Sequence, residues 1–264
     1  MKSKIVFISG AGSGVARETA FKLVNRKHKV IVGTQFEEEA IVINKIAELE
    51  NLELEAIKQD ILDDRDIKLI ENYDIDVLIL NAAIGESGSI SEIPIEKVEK
   101  VFKTNIYSNI KLTQLAIKKA IENNKNLRII LISSLAGRIT MPFLSTYCAS
   151  KSALESLFFA LMWEMKLIKN PKIEVTIIEP GTYATGFNKE NNEKKYEWMK
   201  ENSYFDVEKI RTIEDKVWKI IERKSFKTVI NKYIKAVETK HLKARYYTPL
   251  SQALFIQFLR IIGI

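Results

Sequence analysis

Short blocks of aliphatic and β-branched residues alternate along this chain with longer amphipathic stretches, and this alternation limits the possible folds more than any other feature. The blocks are residues 5–8, 30–32, 77–80, 129–132 and 175–178, with a weaker, alternating block at 52–57. Nearly continuous apolar blocks are typical of strands that are buried on both faces. Helical patterns occupy residues 15–25, 37–50, about 95–123 and 147–168. The repeated order predicts a doubly wound α/β fold, a parallel sheet of about seven strands with helices on both faces, with residues 228–230 as a candidate last strand.

The length and composition fit one globular domain. The chain has 264 residues, of which 46% are hydrophobic and 28% charged. Neither a linker rich in Pro, Gly or Ser nor an internal repeat divides it, so we predict a single domain over residues 1–264. The single cysteine, Cys148, excludes an internal disulfide framework and indicates a reducing compartment, so we expect a cytoplasmic protein. No stretch is long and apolar enough to span a bilayer.

The net charge is +7, from 41 basic and 34 acidic residues. A basic face attracts nucleic acid or anionic lipid. Here the acidic residues are interspersed and no pattern of a nucleic-acid-binding module occurs, so we interpret the lysines as solvated helix faces and expect no nucleic-acid partner. The two histidines, His28 and His241, have no neighbours at metal-ligand spacing. We therefore expect no metal site and interpret both as surface or loop residues.

A glycine-rich segment, SGAGSGVA at residues 9–16, follows the first apolar block and precedes a helical pattern. Backbone N–H groups and the dipole at a helix N-terminus favour a phosphate, and glycine lets the backbone approach it closely. A plain structural turn is the alternative, but the position after a buried strand favours a dinucleotide phosphate site. The candidate contacts are Gly10, Gly12, Ser13, Gly14 and Val15.

The end of the second strand bears on the choice of cofactor. Enzymes that use NAD often place an acid there, which bonds the ribose 2′-hydroxyl. This strand ends in Thr34 and Gln35, and Glu37 looks like the first turn of the next helix. Thr34 and Gln35 suit a hydroxyl or a 2′-phosphate, although no arginine completes a strong phosphate site. The sequence thus predicts NADP in preference to NAD, by a small margin.

Tyr147 and Lys151 lie four residues apart, on one face of a predicted helix, with Ser134 upstream. A free phenol has a pKa of about 10 and is a poor base at neutral pH. A nearby ammonium group favours the phenolate and lowers that pKa, so the pair suits proton transfer with an alcohol or carbonyl. Tyr-x-x-x-Lys alone occurs by chance in many helices, and its weight depends on the residues around it.

Taken together, these features resemble the short-chain dehydrogenase/reductase family, over nearly the whole chain from Lys4 to about residue 230. The family motifs occur in order, and Ser134 precedes Tyr147 by the usual 13 residues (147 − 134). The matching positions are the glycine loop, Asp60-Ile61, Asn81-Ala82-Ala83, Asn105, Ser134, Tyr147, Lys151, and Pro180-Gly181 with Thr185. Two residues depart from the pattern: Ala16 replaces a glycine, and Ile84 places a bulky side chain where the cofactor pocket is expected.

The resemblance implies a Rossmann fold that binds NAD(P) and transfers a hydride between nicotinamide and a ketone or secondary alcohol. Tyr147 would be the general acid or base, and Lys151 would lower its pKa and bond the nicotinamide ribose. Ser134 would hold the substrate oxygen, and Asn105 a water that connects Lys151 to solvent. The further cofactor contacts implied are Asp60, Ile61, Asn81, Ala82, Pro180, Gly181 and Thr185, with Tyr147 and Lys151 themselves. Family members often form homodimers or homotetramers.

Two stretches interrupt the alternation of strand and helix. Residues 183–210 are polar and carry Tyr196, Trp198, Tyr204 and Phe205, so they form either a lid over the substrate or a surface helical insertion. Residues 249–264 form an apolar tail that packs on the body, contacts a second subunit or lies on a membrane surface. Segments 141–147 and 244–249 are similar to branches that act on apolar ketones and alcohols, such as retinol or 17β-hydroxysteroid dehydrogenases.

Two other functions stay open at this point. One is the same fold with different redox chemistry, namely an epimerase, a dehydratase or a reductase of a thioester-linked ketoacyl group. The other is a non-catalytic regulator that binds a dinucleotide. The presence of Ser134, Tyr147 and Lys151 together argues against a regulator, which has no need of an acid–base pair.

Overall fold

The computed structural model describes residues 2–199 and 203–262. In this part of the chain, seven strands form one sheet, and every neighbouring pair is parallel. They are β1 (Ile5–Ser9), β2 (Lys29–Thr34), β3 (Leu54–Lys58), β4 (Val77–Leu80), β5 (Leu127–Ile132), β6 (Ile173–Pro180) and β7 (Arg245–Thr248), in the order β3-β2-β1-β4-β5-β6-β7. The strand order reverses between β1 and β4, where open α/β sheets bind ligands at the carboxyl ends of the strands. The predicted doubly wound parallel fold is confirmed.

Among the residues that the structure describes, ten α-helices connect and cover the strands. They are α1 (Gly14–Val24), α2 (Glu37–Leu49), α3 (Asp64–Lys68), α4 (Ile95–Phe102), α5 (Ser108–Glu122), α6 (Ser145–Glu164), α7 (Phe187–Met199), α8 (Val207–Ile221), α9 (Lys227–Glu238) and α10 (Leu250–Ile261). Side chains alternate between the two faces of a strand. In β1, Val6 and Ile8 pack under α1, α2 and α9, while Phe7 packs under α3, α5 and α6. Both faces of the sheet are therefore apolar and covered.

The predicted strand at residues 228–230 is wrong. Thr228, Val229 and Ile230 lie in α9, where Val229, Tyr233 and Ala236 form a buried face at helical spacing. A short β-branched run does not distinguish strand from helix by its composition, and here the apolar residues beyond it decide in favour of a helix. The last strand is β7, whose Tyr246 is paired with Ile178 of β6.

The predicted long helix over residues 95–123 contains a local break. Between α4 and α5 lies a single π-helical turn, Lys103–Tyr107, and Asn105 is at its centre. A π turn inserts one extra residue into the helix, and such turns occur frequently at functional sites. The sequence pattern predicts the helix but not this turn.

The two histidines differ in their surroundings. His28 is buried rather than at the surface, because it lies against Glu238 with 3.2 Å between His28 Nε2 and the nearer carboxylate oxygen, whereas His241 is exposed. Within residues 2–199 and 203–262, no group of three His, Cys, Asp or Glu side chains is arranged to hold a metal ion. None of the helices in that same part of the chain has the length and apolarity needed to cross a bilayer.

Candidate active site

The glycine loop lies at the N-terminus of α1, close to the ends of β4 and β6. A Cβ at Gly10, which has φ +65°, would stand 2.5 Å from the Cα of Ala82. Gly14 begins α1 at φ +61°, and a Cβ there would meet only the side chain of Thr185, at 3.7 Å. No side chain caps α1 and no acid lies in its first turn. Its N-terminal amides are thus arranged for an anion, and Ser13 and Val15 flank Gly14 at this point.

The two polar residues at the end of β2, Thr34 and Gln35, differ in their exposure to solvent. The Thr34 side chain is buried, and its hydroxyl donates to the carbonyl oxygen of Phe36 at 2.9 Å, while Gln35 is exposed. One acidic side chain, which the sequence reading did not single out, reaches the loop from the first turn of α2. A Cβ at Gly12 would stand 2.3 Å from Glu39 Oε2. A carboxylate at this position attracts a ribose hydroxyl and repels a 2′-phosphate.

The residues expected to contact the adenine and the nicotinamide ribose follow β3 and β4. Ile61 is buried, and Asp60 Oδ1 accepts a hydrogen bond from the Leu62 amide at 2.9 Å. Asn81 Nδ2 donates to the Gly10 carbonyl at 2.8 Å, and Ala82 stands directly under Gly10. Asn81 therefore joins the end of β4 to the glycine loop.

The segment after β6 closes the other side of the crevice. The Gly181 amide donates to the Thr248 carbonyl at 2.7 Å, and Pro180 accepts from the Ser134 hydroxyl at 3.4 Å. Thr185 reaches the glycine loop at Gly14. This segment therefore extends from Ser134, which Pro180 contacts, to the glycine loop, which Thr185 contacts.

Ser134, Tyr147, Lys151 and Asn105 form what we call the catalytic corner. Ser134 follows the end of β5, and its oxygen accepts from the Ala136 amide at 3.1 Å. The Ser134 side chain lies close enough to the Tyr147 phenol to lower its pKa. Lys151 is buried, and its Nζ donates to the Ile132 carbonyl at 3.0 Å and lies 5.7 Å from the centre of the Tyr147 ring. The structure thus brings the serine, the phenol and the ammonium group together.

Burial controls the electrostatics of this corner. Part of the Tyr147 side chain reaches the surface, but its hydroxyl lies among protein atoms, and this burial raises the pKa of Tyr147 to about 12 against the lowering effect of Ser134. Burial also lowers the pKa of Lys151 to about 8, opposed by the charge of Glu155. The pKa of Tyr147 is thus raised by desolvation rather than lowered as expected, and the cause that lowers it is Ser134 rather than Lys151.

Asn105 is hydrogen-bonded to the elements that carry the catalytic corner. Its side chain has no exposed surface; Oδ1 accepts from the Ile84 amide at 2.8 Å, and Nδ2 donates to the Ile84 carbonyl at 2.9 Å and to Ser150 Oγ at 3.0 Å. Ser150 Oγ in turn donates to the Tyr147 carbonyl at 2.8 Å. Both N–H groups of the amide are therefore in use, and Asn105 links the loop after β4 to the first turn of α6.

Several polar residues near the site carry no sequence motif and were missed. Tyr233 of α9 is buried and donates to Asn81 Oδ1 at 2.9 Å. Glu155 of α6 accepts from the Ser133 hydroxyl at 2.7 Å, and Arg245 of β7 bonds both Glu155 and Glu179. A glutamate four residues after Lys151 is the only sequence signal that could have pointed to this group, because its partners are distant in the chain.

Part of residues 183–210 packs over the catalytic corner, and we call this range the covering segment. The Phe187 ring lies 5.7 Å from that of Tyr147, and Trp198 lies against Gly88. Lys195 is buried and paired with Glu214 of α8 at 2.5 Å. Phe143, before α6, stacks edge-on against Phe205 at 5.2 Å. Residues 200–202 lie outside the described part of the chain.

The loop and the corner together fit a dinucleotide. The loop offers N-terminal amides and an approach that a Cβ at Gly10 or Gly12 would block. The Tyr147 hydroxyl and Lys151 lie where the ends of β4, β5 and β6 converge. A phosphate group at one end of the crevice and an acid–base pair at the other match the two ends of a nicotinamide cofactor.

Comparisons with known proteins agree with this geometry. The model of a family described as short chain dehydrogenase matches residues 4–196. The probable short-chain type dehydrogenase/reductase VdlC of Helicobacter pylori is 33% identical over 195 residues, which cover 71% of this chain and 69% of that protein. The structure of a short-chain dehydrogenase/reductase from Burkholderia phymatum in complex with NAD superposes with a TM-score of 0.83 at 17% identity, over 98% of this chain and 94% of that one. A variant of actinorhodin polyketide ketoreductase with NADPH gives a TM-score of 0.75 at 22% identity, over 93% of this chain and 95% of that one.

Proposed function

The chain belongs to the short-chain dehydrogenase/reductase family, and we propose that its catalytic corner reduces an apolar ketone, or oxidises the matching secondary alcohol, with Tyr147 as the proton donor or acceptor. It is an NAD(P)-dependent oxidoreductase that acts on CH–OH or C=O groups. The single observation that carries the proposal is the position of Tyr147, which lies near Ser134 and has the buried Lys151 Nζ 5.7 Å from the centre of its ring.

When it is bound, the nicotinamide cofactor supplies or accepts the hydride. Tyr147 then gives a proton to the oxygen that becomes an alkoxide. With its pKa raised to about 12, the phenol is fully protonated at neutral pH, which is the form that reduction requires. Ser134 lies near this hydroxyl, so a carbonyl oxygen that reaches both would be held and polarised.

Lys151 and Asn105 support this step. The Lys151 Nζ lies 5.7 Å from the centre of the Tyr147 ring, and its two remaining N–H bonds would hold the ribose hydroxyls of the bound cofactor. Its positive charge favours the phenolate that forms when the proton leaves. Asn105 fixes the first turn of α6 through Ser150, and its free Oδ1 lone pair is the place where a water could be held.

Turnover by the Tyr147→Phe variant tests the proposal. The oxidation of NADPH and NADH is followed with acetophenone, 2-decanone and a 17-ketosteroid as substrates. We expect a loss of about a thousandfold in Tyr147→Phe, since a positioned acid contributes roughly 10² to 10⁴ in rate. Tyr107→Phe, an exposed tyrosine on the π turn, is the matched control. Full activity in Tyr147→Phe with a substrate that the enzyme turns over would contradict the role of Tyr147.

The aromatic wall above Tyr147 supports an apolar substrate. Phe187 of the covering segment stands next to Tyr147, and Phe143 and Phe205 form the next layer. We propose that the covering segment acts as a lid, since it reaches both Tyr147 and Gly88 from α7. Faster turnover of 2-decanone than of a charged ketone such as pyruvate would support an apolar pocket, and the reverse order would contradict it.

Two observations bear on the choice between NADP and NAD. The missing acid after β2 favours NADPH, and on this ground we propose that NADPH binds more tightly than NADH. The Glu39 carboxylate beside Gly12 repels a 2′-phosphate, and this repulsion reduces the expected preference for NADPH over NADH. Fluorescence titrations of both cofactors test this, and tighter binding of NADH would contradict it. In Glu39→Gln the affinity for NADPH should rise while that for NADH changes little.

We also infer a cytoplasmic homodimer or homotetramer. The single cysteine supports a reducing compartment. Tyr107 on the π turn and Leu157 and Trp163 on α6 are exposed apolar side chains on the long helices, which supports a subunit contact there. α10 leaves Leu254 and Phe258 exposed as well. Light scattering after size-exclusion chromatography measures the assembly, and sedimentation with anionic vesicles tests membrane contact by α10; a monomer would contradict the first inference.

A further inference from the structure

A buried group of charges lies directly behind the catalytic corner, outside the acid–base residues already described. Glu155 and Glu179 are buried, and the Arg245 guanidinium bonds both, at 2.7 Å to Glu155 Oε2 and 2.6 Å to Glu179 Oε1. Arg138 Nε stands 3.7 Å from Glu179 Oε2. Buried charges of this kind are rare unless they are paired, and their removal leaves an unpaired partner at high cost.

Glu155 is the member of this group that reaches the catalytic elements. Its Oε1 accepts from the hydroxyl of Ser133, the residue before Ser134, at 2.7 Å. The same oxygen stands 2.6 Å from where a Cβ of Gly137 would be, so the glycine gives the carboxylate its place below the turn that follows Ser134. Lys151 lies one helical turn before Glu155 on α6. One carboxylate thus bonds the strand end that precedes Ser134 and acts electrostatically on Lys151, one helical turn away.

The charges that face Glu155 come from every element packed around it. Arg245 of β7 neutralises part of its charge, Glu179 of β6 adds a second negative charge, and the Ser133 hydroxyl of β5 is neutral. On its own helix, Lys151 is joined to Glu155 by an electrostatic interaction. Because Lys151 is desolvated, its charged form depends on such neighbours.

We propose that Glu155 is a positioning residue of this active site, which keeps the Lys151 ammonium charged and fixes the strand end that carries Ser134. The inference rests on the proposed roles of Lys151 and Ser134. Glu155 contacts neither substrate nor reacting atoms; it acts through Lys151 and through Ser133. The charge of Glu155 acts on Lys151, whereas its hydrogen bond fixes Ser133. Glu155→Gln removes the charge and Glu155→Asp disturbs the hydrogen bonds, so the two variants distinguish these roles.

The charge is tested by a direct titration of Lys151 that needs no substrate. The protein is labelled with carbon-13 at lysine Cε, and the Lys151 resonance is identified by its loss in Lys151→Arg. Burial lowers the pKa of Lys151 to about 8 and Glu155 opposes this lowering. In Glu155→Gln, which retains an oxygen for Ser133 and leaves Arg245 paired with Glu179, the midpoint moves to lower pH. In the matched control Glu164→Gln, an exposed glutamate at the end of the same helix, the midpoint stays in place.

The pH profile of kcat provides the second readout. In Glu155→Gln the alkaline limb moves to lower pH by the same amount as the Lys151 midpoint, with a tenfold loss of turnover above the limb for each unit of displacement. Glu155→Asp keeps the charge but shortens the side chain, so its bonds to Ser133 and Arg245 lengthen. In that variant kcat falls while the Lys151 midpoint stays near that of the wild type, and this comparison decides the question if Glu155→Gln does not fold.

An unchanged Lys151 midpoint in Glu155→Gln, or a midpoint displaced in Glu155→Asp, overturns the inference. A uniform loss of kcat in Glu155→Gln with no displacement of the limb identifies a merely structural residue and overturns it too. The proposed function fails on a different result. Full activity in Tyr147→Phe contradicts it, whatever midpoint the Lys151 titration gives.

Discussion

The covering segment packs against the catalytic corner, but the two regions are held by different kinds of contact. In the corner, the polar side chains bond mainly to backbone atoms: Asn105 to Ile84, and Lys151 to the carbonyl of Ile132. In the covering segment, side chains are held by other side chains, as in the buried Lys195 with Glu214 of α8 and the partly exposed Phe205 with Phe143.

This difference separates chemistry from recognition. A side chain that bonds to backbone keeps its place whatever the neighbouring side chains are, because the fold fixes the partner. A side chain held by another side chain is lost when either residue changes. We therefore expect substitutions in the corner to lower kcat and the stability of the whole domain, and substitutions in the covering segment to act chiefly on KM.

Asn105→Ala should have the largest effect. It leaves the amide and carbonyl of Ile84 and the Ser150 hydroxyl without their partner in a site with no exposed surface. We expect a loss of about 3 kcal/mol in the free energy of unfolding, measured by urea denaturation, because each buried unsatisfied group costs roughly 1 to 3 kcal/mol. Displacement of the first turn of α6 should lower kcat by about a hundredfold.

Asn123→Ala is the control for this variant. Asn123 ends α5 and its side chain is exposed, so the same change should alter the free energy of unfolding by less than about 0.5 kcal/mol. If the two variants were equally stable and equally active, the backbone contacts of Asn105 would not hold the corner, and the contrast between the two regions would fail at its strongest point.

Glu179→Gln should have the next largest effect, through the pH dependence of stability. Burial and then the Glu155 carboxylate raise the pKa of Glu179 from an ordinary 4.5 to about 7. The folded chain therefore binds this proton more tightly than the unfolded chain. The stabilisation is complete below about pH 4.5 and is lost as the pH rises through 7.

Urea denaturation at pH 5 and pH 8 measures the contribution of Glu179 protonation to the free energy of unfolding. Between these values the wild type should lose about 2 kcal/mol that Glu179→Gln does not lose, since one unit of pKa corresponds to about 1.4 kcal/mol. The variant should match the wild type at pH 5 and exceed it at pH 8. Glu164→Gln, at an exposed position, should follow the wild type at both; equal pH dependence in all three proteins would show that Glu179 is ionised throughout.

The sequence predicted the parts of the site that rest on local pattern. The apolar blocks locate six of the seven strands, and Ser134, Tyr147 and Lys151 meet because β5 and α6 present them at the same end of the sheet. Arg245 could not be found in this way, since it lies 90 residues from Glu155 and only the pairing of β7 with β6 brings the two together. The π turn at Asn105 was missed for a similar reason, because tertiary contacts rather than helix periodicity determine it.

Lys195→Met tests the other side of the comparison and should have the smallest effect. It breaks a buried ion pair and leaves the Glu214 carboxylate with Tyr196 as its remaining partner. The covering segment should loosen while the corner stays intact, so KM for the best ketone of the panel should rise about tenfold, which corresponds to about 1.4 kcal/mol, with kcat changed less than about threefold.

Two further variants show whether this effect belongs to the pair. Lys216→Met removes an exposed lysine from α8 and should leave KM unchanged. Adding Glu214→Leu to Lys195→Met removes the uncompensated charge and should recover part of the loss, because a buried pair replaced by apolar side chains is often nearly neutral. A fall in kcat at constant KM in Lys195→Met would place the covering segment in the chemical step itself. The division between a corner that performs the chemistry and a cover that selects the substrate would then be wrong.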